Sequence, residues 1–221
     1  MRTPNPTLKN RRREEILKVA AELFAGKNFH EVKMTDVAER VKIAKGSLYL
    51  HFKSKEELYI SIITVRLEAL LQMLKERFDR RQSPLTNLRR IIVHTYSFMC
   101  KYEYFFHIWY REKLNCSRSS HREIRHVYQE IKNLLASVLE EGVRSRYFHD
   151  QPVERLVDWI LGLVDAAVLR GLQLNTADRR EERVRLYEFV LRSIGTPSAW
   201  KQHQAGEDEP AIEELNRRVF V

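Results

Sequence analysis

A short segment near the N-terminus concentrates side chains that can bind phosphate groups and base edges. Residues 45–55 include the cations Lys45 and Lys55 and the hydrogen-bonding side chains of Ser47, Tyr49 and His51. Ammonium groups bind phosphate, whereas small hydroxyl groups can also reach base edges in a groove of DNA. The segment therefore favours contact with a nucleic acid. Plain solvent exposure is the alternative for each residue taken alone.

A second concentration of side chains is aromatic. Eight Tyr, Phe and Trp residues fall within residues 96–110, of 9 Tyr, 10 Phe and 3 Trp in the chain. Rings with polar tips suit an apolar pocket that orients a ligand, and they equally suit the packing of a core. We expect a small apolar or aromatic molecule to bind here, and the candidate residues are Tyr96, Met99, Tyr102, Phe105, Phe106, Trp109, Tyr110 and Asp165.

The sequence lacks the motifs of metal centres and of common enzymes. Its 8 histidines include no pair four residues apart, and Cys100 and Cys116 do not form a Cys-x-x-Cys motif. No glycine-rich phosphate loop and no nucleophile motif of a hydrolase occurs. We therefore expect no metal, no cofactor and no catalytic residues. Turnover of a ligand would be the observation in favour of an enzyme.

The positive charge of the chain is concentrated at one end. The chain of 221 residues has a net charge of +9, and residues 1–55 hold 13 Lys and Arg against 6 Asp and Glu. Such a field favours an anionic partner, which could be a nucleic acid or a membrane surface. The polar segment 45–55 makes double-stranded DNA the favoured partner.

Cysteine usage and hydropathy indicate the compartment. Two cysteines cannot form a disulfide framework, and no apolar signal segment occurs at the N-terminus. The longest near-apolar run, residues 159–169, is interrupted by Asp165 and is too short to span a bilayer. We expect a cytoplasmic protein that does not bind membranes.

The elements that must position these side chains are helices. Apolar residues recur at helical spacing along the chain, and the absence of Asn-Gly and Asp-Gly pairs disfavours hairpins. The prediction is an all-α fold. Thr35 is the predicted N-cap of a second helix, and a third runs over 45–52 after a three-residue link, which outlines a helix-turn-helix. On the third helix Leu48 and Phe52 share an inner face, so Gly46 and Leu50 face outward.

The segment 34–58, MTDVAERVKIAKGSLYLHFKSKEEL, resembles the DNA-binding region of the TetR family of transcriptional regulators. The matching elements are Thr35, Val37-Ala38, Lys45-Gly46-Ser47-Leu48-Tyr49, His51-Phe52 and Ser54-Lys55-Glu56. Two positions depart from the family pattern: Lys42 replaces a turn glycine, and Ala44 replaces Ser or Thr. The resemblance implies an N-terminal three-helix DNA-binding domain, followed by a helical domain that binds a small molecule and dimerises. The candidate DNA-binding residues are Arg12, Thr35, Lys45, Gly46, Ser47, Tyr49, Leu50, His51 and Lys55.

The helix predicted over 152–174 is apolar nearly all round, so it must be covered on more than one side. The next helix, predicted over 178–194, carries a narrow apolar stripe. Two such helices from each of two subunits would form a four-helix interface, whereas a monomeric core is the alternative. The candidate interface residues are Val157, Ile160, Val164, Val168, Val184, Tyr187, Leu191 and Ile194.

Three parts of the chain follow from these patterns. They are a DNA-binding domain with a basic arm over 1–55, a helical effector-binding and dimerisation domain over 56–196, and a polar tail over 197–221. The predicted function is that of a homodimeric repressor, released from a pseudo-palindromic operator by a small apolar or aromatic ligand. A sequence-specific regulator without an effector and an activator are the alternatives.

Overall fold

The computed structural model describes residues 6–113 and 122–206, and within these ranges it consists of helices and short connections without a strand. The helices are α1 Pro6–Gly26, α2 Met34–Val41, α3 Lys45–His51, α4 Lys55–Arg77, α5 Pro84–Lys101, α6 Glu103–Lys113, α7 Arg122–Arg144, α8 Val153–Gly171, α9 Thr176–Ile194 and α10 Pro197–Gln204. The all-α prediction is confirmed. No helix in the described part is long and apolar enough to cross a membrane. Cys116 lies outside the described residues.

The contacts within the chain divide it into two bodies. Among the described residues, the N-terminal body comprises 6–68 together with 103–113 and 122–126, and the C-terminal body comprises 69–102 and 127–206. The division therefore falls within α4, between α5 and α6, and within α7. The domain limits expected from the sequence stay predictions, and the division adds that α6 belongs with the helix-turn-helix.

The N-terminal body joins α6 to α1 and α4. Helices α1 and α6 pack against each other. The guanidinium group of Arg111 on α6 donates to the carbonyl oxygen of Phe24, in the last turns of α1. The Tyr59 hydroxyl on α4 donates to the Glu112 carboxylate at 3.5 Å. Burial and the negative charge of Glu112 raise the pKa of Tyr59 to about 12, so this hydroxyl keeps its proton. Helix α6 is thus attached to α1 and α4 by polar contacts, and to α1 also by packing.

The C-terminal body is built around α5. Fifteen of its 18 residues are buried, and it packs against α8 and α9, which also pack against each other. A glycine permits the close approach of α8: a Cβ atom at Gly171 would lie 2.1 Å from the hydroxyl oxygen of Tyr96. The approach helps to enclose α5, whose buried polar residues are Thr86, Asn87, Arg89, His94 and Thr95.

Most of the residues chosen from the sequence for the dimer interface are buried within one protomer. Seven of the eight are at most 3% exposed within one protomer: Val157, Ile160, Val164, Val168, Tyr187, Leu191 and Ile194. They are buried because α5, α8 and α9 pack on one another within the same body. The place of this stripe in a dimer interface stays a prediction. The large apolar side chains that α8 and α9 do expose are Trp159, at 61%, and Phe189, at 57%.

Two helix starts differ from the sequence prediction. Helix α2 begins at Met34 rather than after Thr35, and the Asp36 carboxylate accepts from the Lys33 backbone N–H at 3.1 Å. Helix α9 begins at Thr176, two residues before the predicted start, because the Asn175 side chain accepts from the N–H groups of the first turn. Both helices begin earlier than predicted because the side chains of Asp36 and Asn175 accept from backbone N–H groups at their starts.

Candidate nucleic-acid interface

The turn between α2 and α3 depends on a left-handed residue. Lys42 has φ 59° and ψ 50°, and the N–H group of Ile43 closes the turn by donating to the Ala38 carbonyl at 3.0 Å. This conformation costs a residue with a Cβ atom roughly 1 kcal/mol relative to glycine. Lys42 therefore adopts the turn that glycine usually provides, and the departure from the family pattern leaves the helix-turn-helix intact.

Helix α3 is buried on one side and exposed to solvent on the other. Leu48 and Phe52, at its C-terminal end, are fully buried, as their spacing predicts. On the outer side Leu50 is 82% exposed and Tyr49 is 41% exposed. A Cβ atom added at Gly46 would have no neighbour within 4 Å. Lys45 and Ser47 are also exposed, so α3 presents a continuous surface of mixed chemistry to the solvent.

The remaining candidate residues surround this surface with different degrees of exposure. Thr35 and His51 are half-buried, whereas Arg12 is exposed and pairs with Glu15 at 2.6 Å. Surface pairs of this kind contribute little to stability, so Arg12 can exchange its partner for a phosphate. Lys42 and Lys53 are exposed cations on either side of α3 that the sequence analysis did not single out. The clustering of lysines in 42–55 is the signal that could have identified them.

Lys55 has an internal role that the sequence did not indicate. Its ammonium group donates to the carbonyl oxygens of Phe29 and Val32 at 2.8 and 3.0 Å, and lies 4.4 Å from the ring centroid of Phe29. These contacts fix the connection between α1 and α2. Phosphate binding by Lys55 stays a prediction, and its ammonium group would have to leave these carbonyl groups or share its protons with them.

The start of α4 is closed by its own side chains. The Ser54 hydroxyl accepts from the Glu57 backbone N–H at 3.0 Å, and the Glu57 carboxylate accepts from the Lys53 N–H at 2.7 Å. The arrangement resembles a capping box, except that the Glu57 carboxylate reaches the N–H group one residue before Ser54. These acceptors occupy N–H groups at the start of α4, which weakens this turn as an anchor for phosphate.

The candidate ligand-binding residues are distributed over both bodies. Tyr96, Met99, Tyr102 and Asp165 belong to the C-terminal body, and Phe105, Phe106, Trp109 and Tyr110 belong to the N-terminal body. Five of them are at most 3% exposed: Tyr96, Met99, Phe105, Phe106 and Trp109. Asp165 is also buried. Ligand binding by these residues stays a prediction, and the division shows that the aromatic segment is not one continuous element.

A cleft lies elsewhere in the C-terminal body. It has a volume of about 600 Å³ and is lined by residues of the α4–α5 connection, α5 and α7. None of the eight candidate ligand-binding residues lines it. Among the described residues, no group of three or more His, Cys, Asp and Glu side chains could hold a metal ion.

Comparison with known proteins gives matches over the N-terminal segment and over most of the chain. The model of the family "Bacterial regulatory proteins, tetR family" matches residues 16–62. The "HTH-type transcriptional repressor KstR2" of Mycobacterium tuberculosis is 29% identical over 148 residues, which cover 63% of this chain and 70% of that protein.

Two solved structures are similar in fold. The ketosteroid transcriptional regulator KstR2 of Mycobacterium tuberculosis has a TM-score of 0.72 and 24% identity, covering 84% of this chain and 95% of that one. The transcriptional regulator FadR of Bacillus subtilis, solved with stearoyl-CoA, has a TM-score of 0.65 and 23% identity, covering 81% of this chain and 95% of that one. At these identities the structural similarity shows the shared fold.

Proposed function

This chain belongs to the TetR family of bacterial regulatory proteins, and from that premise we propose that it is a homodimeric transcriptional repressor released from DNA by a small apolar ligand. The observation that carries the proposal is that α3 is buried on one side and exposed on the other. Leu48 and Phe52 pack the helix against the body, and the exposed side chains of Lys45, Ser47, Tyr49 and Leu50 can enter a groove. Such a repressor acts on the chromosome, so we propose a cytoplasmic location.

The DNA contacts follow from the chemistry of the exposed face. Lys45 is expected to bind phosphate and Ser47 a base edge, and Gly46 allows the helix backbone to approach the groove closely. The related proteins are regulators and not enzymes. The proposed partner is a pseudo-palindromic operator, because a two-fold dimer presents two copies of α3.

Dimerisation is proposed through the exposed side of α8 and α9. Trp159, Gly162 and Ala166 lie along one exposed strip of α8, and Phe189 is exposed on α9. A Cβ atom at Gly162 would have no neighbour within 4 Å, which leaves room for a second helix to approach. Exposed aromatic side chains beside small residues are favourable for helix packing between subunits.

The proposed response to ligand uses α6. Its buried aromatic residues Phe106 and Trp109 lie in the same body as α3, and Arg111 connects α6 to the end of α1. A ligand that moves α6 would therefore act on the body that reads DNA. The ligand shifts the population toward the state to which it binds more tightly, and DNA affinity falls by that differential affinity.

One experiment separates base contact from phosphate contact. An operator is first selected from fragments of genomic DNA, and its affinity is measured for the wild type, Ser47→Ala and Lys45→Ala. Ser47→Ala should cost about 1–3 kcal/mol on the operator and relax preference at one base pair. Lys45→Ala should weaken binding to all sequences and lower the salt slope by about one unit. Equal losses on operator and random DNA for Ser47→Ala would remove it from base readout.

The ligand response is tested by Trp109 fluorescence with Trp159→Phe and Trp200→Phe in the background. A true effector, taken from a panel of acyl and ring-bearing compounds, should change the emission and release DNA over the same concentration range. A regulator without an effector is the second candidate, and the near-complete burial of Phe105, Phe106 and Trp109 favours it, because core residues are buried in the same way. Compounds that change neither emission nor DNA affinity would support this second candidate.

A further inference from the structure

Leu50 on α3 is the most exposed large apolar side chain that the structure describes. Among the described residues, the exposed large apolar side chains are Tyr49, Leu50, Tyr104, Trp159 and Phe189. The other four are aromatic, and their exposed fractions lie below the 82% of Leu50. A leucine side chain neither donates nor accepts a hydrogen bond. Its contribution to the binding of a partner is therefore limited to apolar contact.

The packing of α3 fixes the direction in which Leu50 points. Leu48 and Phe52 are fully buried. The guanidinium carbon of Arg13, on α1, lies 4.8 Å from the centroid of the Phe52 ring, and its Nη2 donates to the Ser61 hydroxyl on α4 at 3.3 Å. Two residues of a helix span a rotation of about 200°, so Leu50 lies opposite the buried side. Its side chain therefore points away from the body and into solvent.

The turn before Leu50 carries no side chain on the same face. Gly46 precedes Leu50 by four residues, and a helical side chain lies over the turn that comes before it. A Cβ atom added at Gly46 would have no neighbour within 4 Å. The Leu50 side chain and the bare backbone at Gly46 therefore form a low apolar strip, with the exposed polar residues Lys45 and Ser47 beside it.

The major groove of DNA presents one alkyl group among its base edges, the 5-methyl group of thymine. The other distinguishing groups are hydrogen-bond donors and acceptors. A leucine that covers one of them removes its water without supplying a partner, which is unfavourable. Burial of a methyl group against leucine is favourable. When this face of α3 lies in the groove, the free energy of binding therefore favours thymine opposite Leu50.

We propose that Leu50 is a specificity-determining residue that recognises the 5-methyl group of a thymine, once in each half-site of the operator. The proposal rests on the proposed function, because it requires α3 to lie in the major groove. It adds a second kind of readout to that function. The expected contact of Ser47 is a hydrogen bond to a base edge, whereas Leu50 recognises a group that makes no hydrogen bond.

The test removes this methyl group from the DNA and leaves the base pairing unchanged. An operator is selected from fragments of genomic DNA, and each thymine of its half-sites is replaced in turn by deoxyuridine, in both half-sites at once. Affinity for the full chain is measured by fluorescence anisotropy at fixed salt. At one position the affinity should fall about fourfold for each half-site, or about fifteenfold in total. Deoxyuridine at thymines outside the half-sites should have no effect.

Variants of α3 assign the response to one side chain. Leu50→Ala should bind the thymine and deoxyuridine operators with nearly equal affinity, and Leu50→Met, which keeps an apolar side chain, should retain part of the difference. Leu50→Ala should fold normally, because the position is exposed and alanine favours a helix. Thermal unfolding checks this. Lys45→Ala is the matched variant on the same helix: it should weaken binding to both operators alike and preserve their ratio, since a phosphate contact does not involve the base.

The outcomes separate this proposal from the proposed function. If the operator is preferred over scrambled DNA but no deoxyuridine in the half-sites lowers the affinity, the proposal for Leu50 is overturned and the proposed function stands. If Leu50→Ala responds to deoxyuridine as the wild type does, and Tyr49→Ala does not, the methyl group is recognised by Tyr49 instead. If no genomic fragment is enriched, the proposed function fails, and the proposal for Leu50 fails with it.

Discussion

Helices α3 and α5 differ in where they place their polar side chains. Helix α3 buries Leu48 and exposes its hydroxyl and ammonium groups. Helix α5 is enclosed, and it keeps Arg89, His94 and Thr95 in the interior. A surface that binds a polymer must be exposed before the partner arrives. A site for a small molecule is enclosed, so its residues resemble those of a core.

The largest expected effect is the loss of stability when a core residue of the C-terminal body, rather than a residue of its exposed face, is replaced by a charged one. Leu191 is fully buried within one protomer. Leu191→Glu buries an unpaired charge and should destabilise the fold by about 3–5 kcal/mol or more, so that the chain unfolds rather than dissociates into stable monomers. Circular dichroism and sedimentation of the variant distinguish the two. A folded, monomeric Leu191→Glu protein would instead support a place for Leu191 in the dimer interface.

The next largest effect is the pH dependence of the free energy of unfolding that the buried His94 should cause. Because the pKa of His94 is lowered to about 3, the unfolded chain binds a proton that the folded chain does not between that value and the ordinary one near 6.5. The free energy of unfolding should therefore fall as the pH falls, by on the order of 3 kcal/mol between about pH 7 and about pH 4. Denaturant unfolding of the wild type and of His94→Gln measures it. The same acid dependence in both proteins would exclude His94 as its source.

A charge on the exposed face should separate the subunits without unfolding them. Trp159 is 61% exposed in the protomer, so Trp159→Glu costs little within one chain but opposes packing of a second. We expect a folded monomer whose operator affinity is lower by roughly 100-fold, since the two half-sites are no longer bound together. Gln129→Glu, at an exposed position of α7 away from this strip, is the control for added negative charge. Dimeric Trp159→Glu at micromolar concentration would locate the interface elsewhere.

A smaller effect tests whether α3 approaches another backbone. Gly46 has open space around its Cβ position in the free protein. Gly46→Ala should therefore stabilise the free domain by about 0.5–1 kcal/mol, because alanine favours the helix. If DNA fills that space, the same variant should bind the operator more weakly. Increased thermal stability together with unchanged operator affinity would show that the groove does not come close to Gly46.

The smallest effect concerns the turn before α3. Lys42 is in the left-handed region at φ 59°. Lys42→Gly should stabilise the protein by up to about 1 kcal/mol, since glycine adopts this conformation without strain. Urea unfolding measures the change, and Lys42→Ala, which keeps the Cβ atom, should give no such gain. Equal stability of the glycine and alanine variants would mean that the turn is unstrained.

The helix-turn-helix was predictable because its pattern is local. Leu48 and Phe52 are four residues apart on one helix, and that spacing alone gave the inner face of α3. The opposite face of α3 was therefore predicted to be exposed. The internal role of Lys55 was not predictable, because its carbonyl partners are more than twenty residues away in the chain.

The helices of the C-terminal body were predictable, but which of their faces pack within one protomer was not. Periodicity identified the apolar stripe with Tyr187 and Leu191, yet it cannot say whether the stripe meets α5 or a second subunit. Trp159 and Phe189 gave no distinct signal, because an exposed aromatic residue on an apolar helix fits the same pattern. The charge around His94 comes from Arg77, Arg90 and Arg183, which only the fold brings together.

The most direct test of the account is the specificity of the full chain for DNA. Fluorescence anisotropy at fixed salt compares a fragment selected from genomic DNA with the same fragment after both half-sites have been scrambled. The account predicts that the selected fragment binds at least about 1,000-fold more tightly and that one dimer occupies each fragment. Equal affinity for the two fragments would contradict it, because the exposed face of α3 would then bind phosphate without reading sequence.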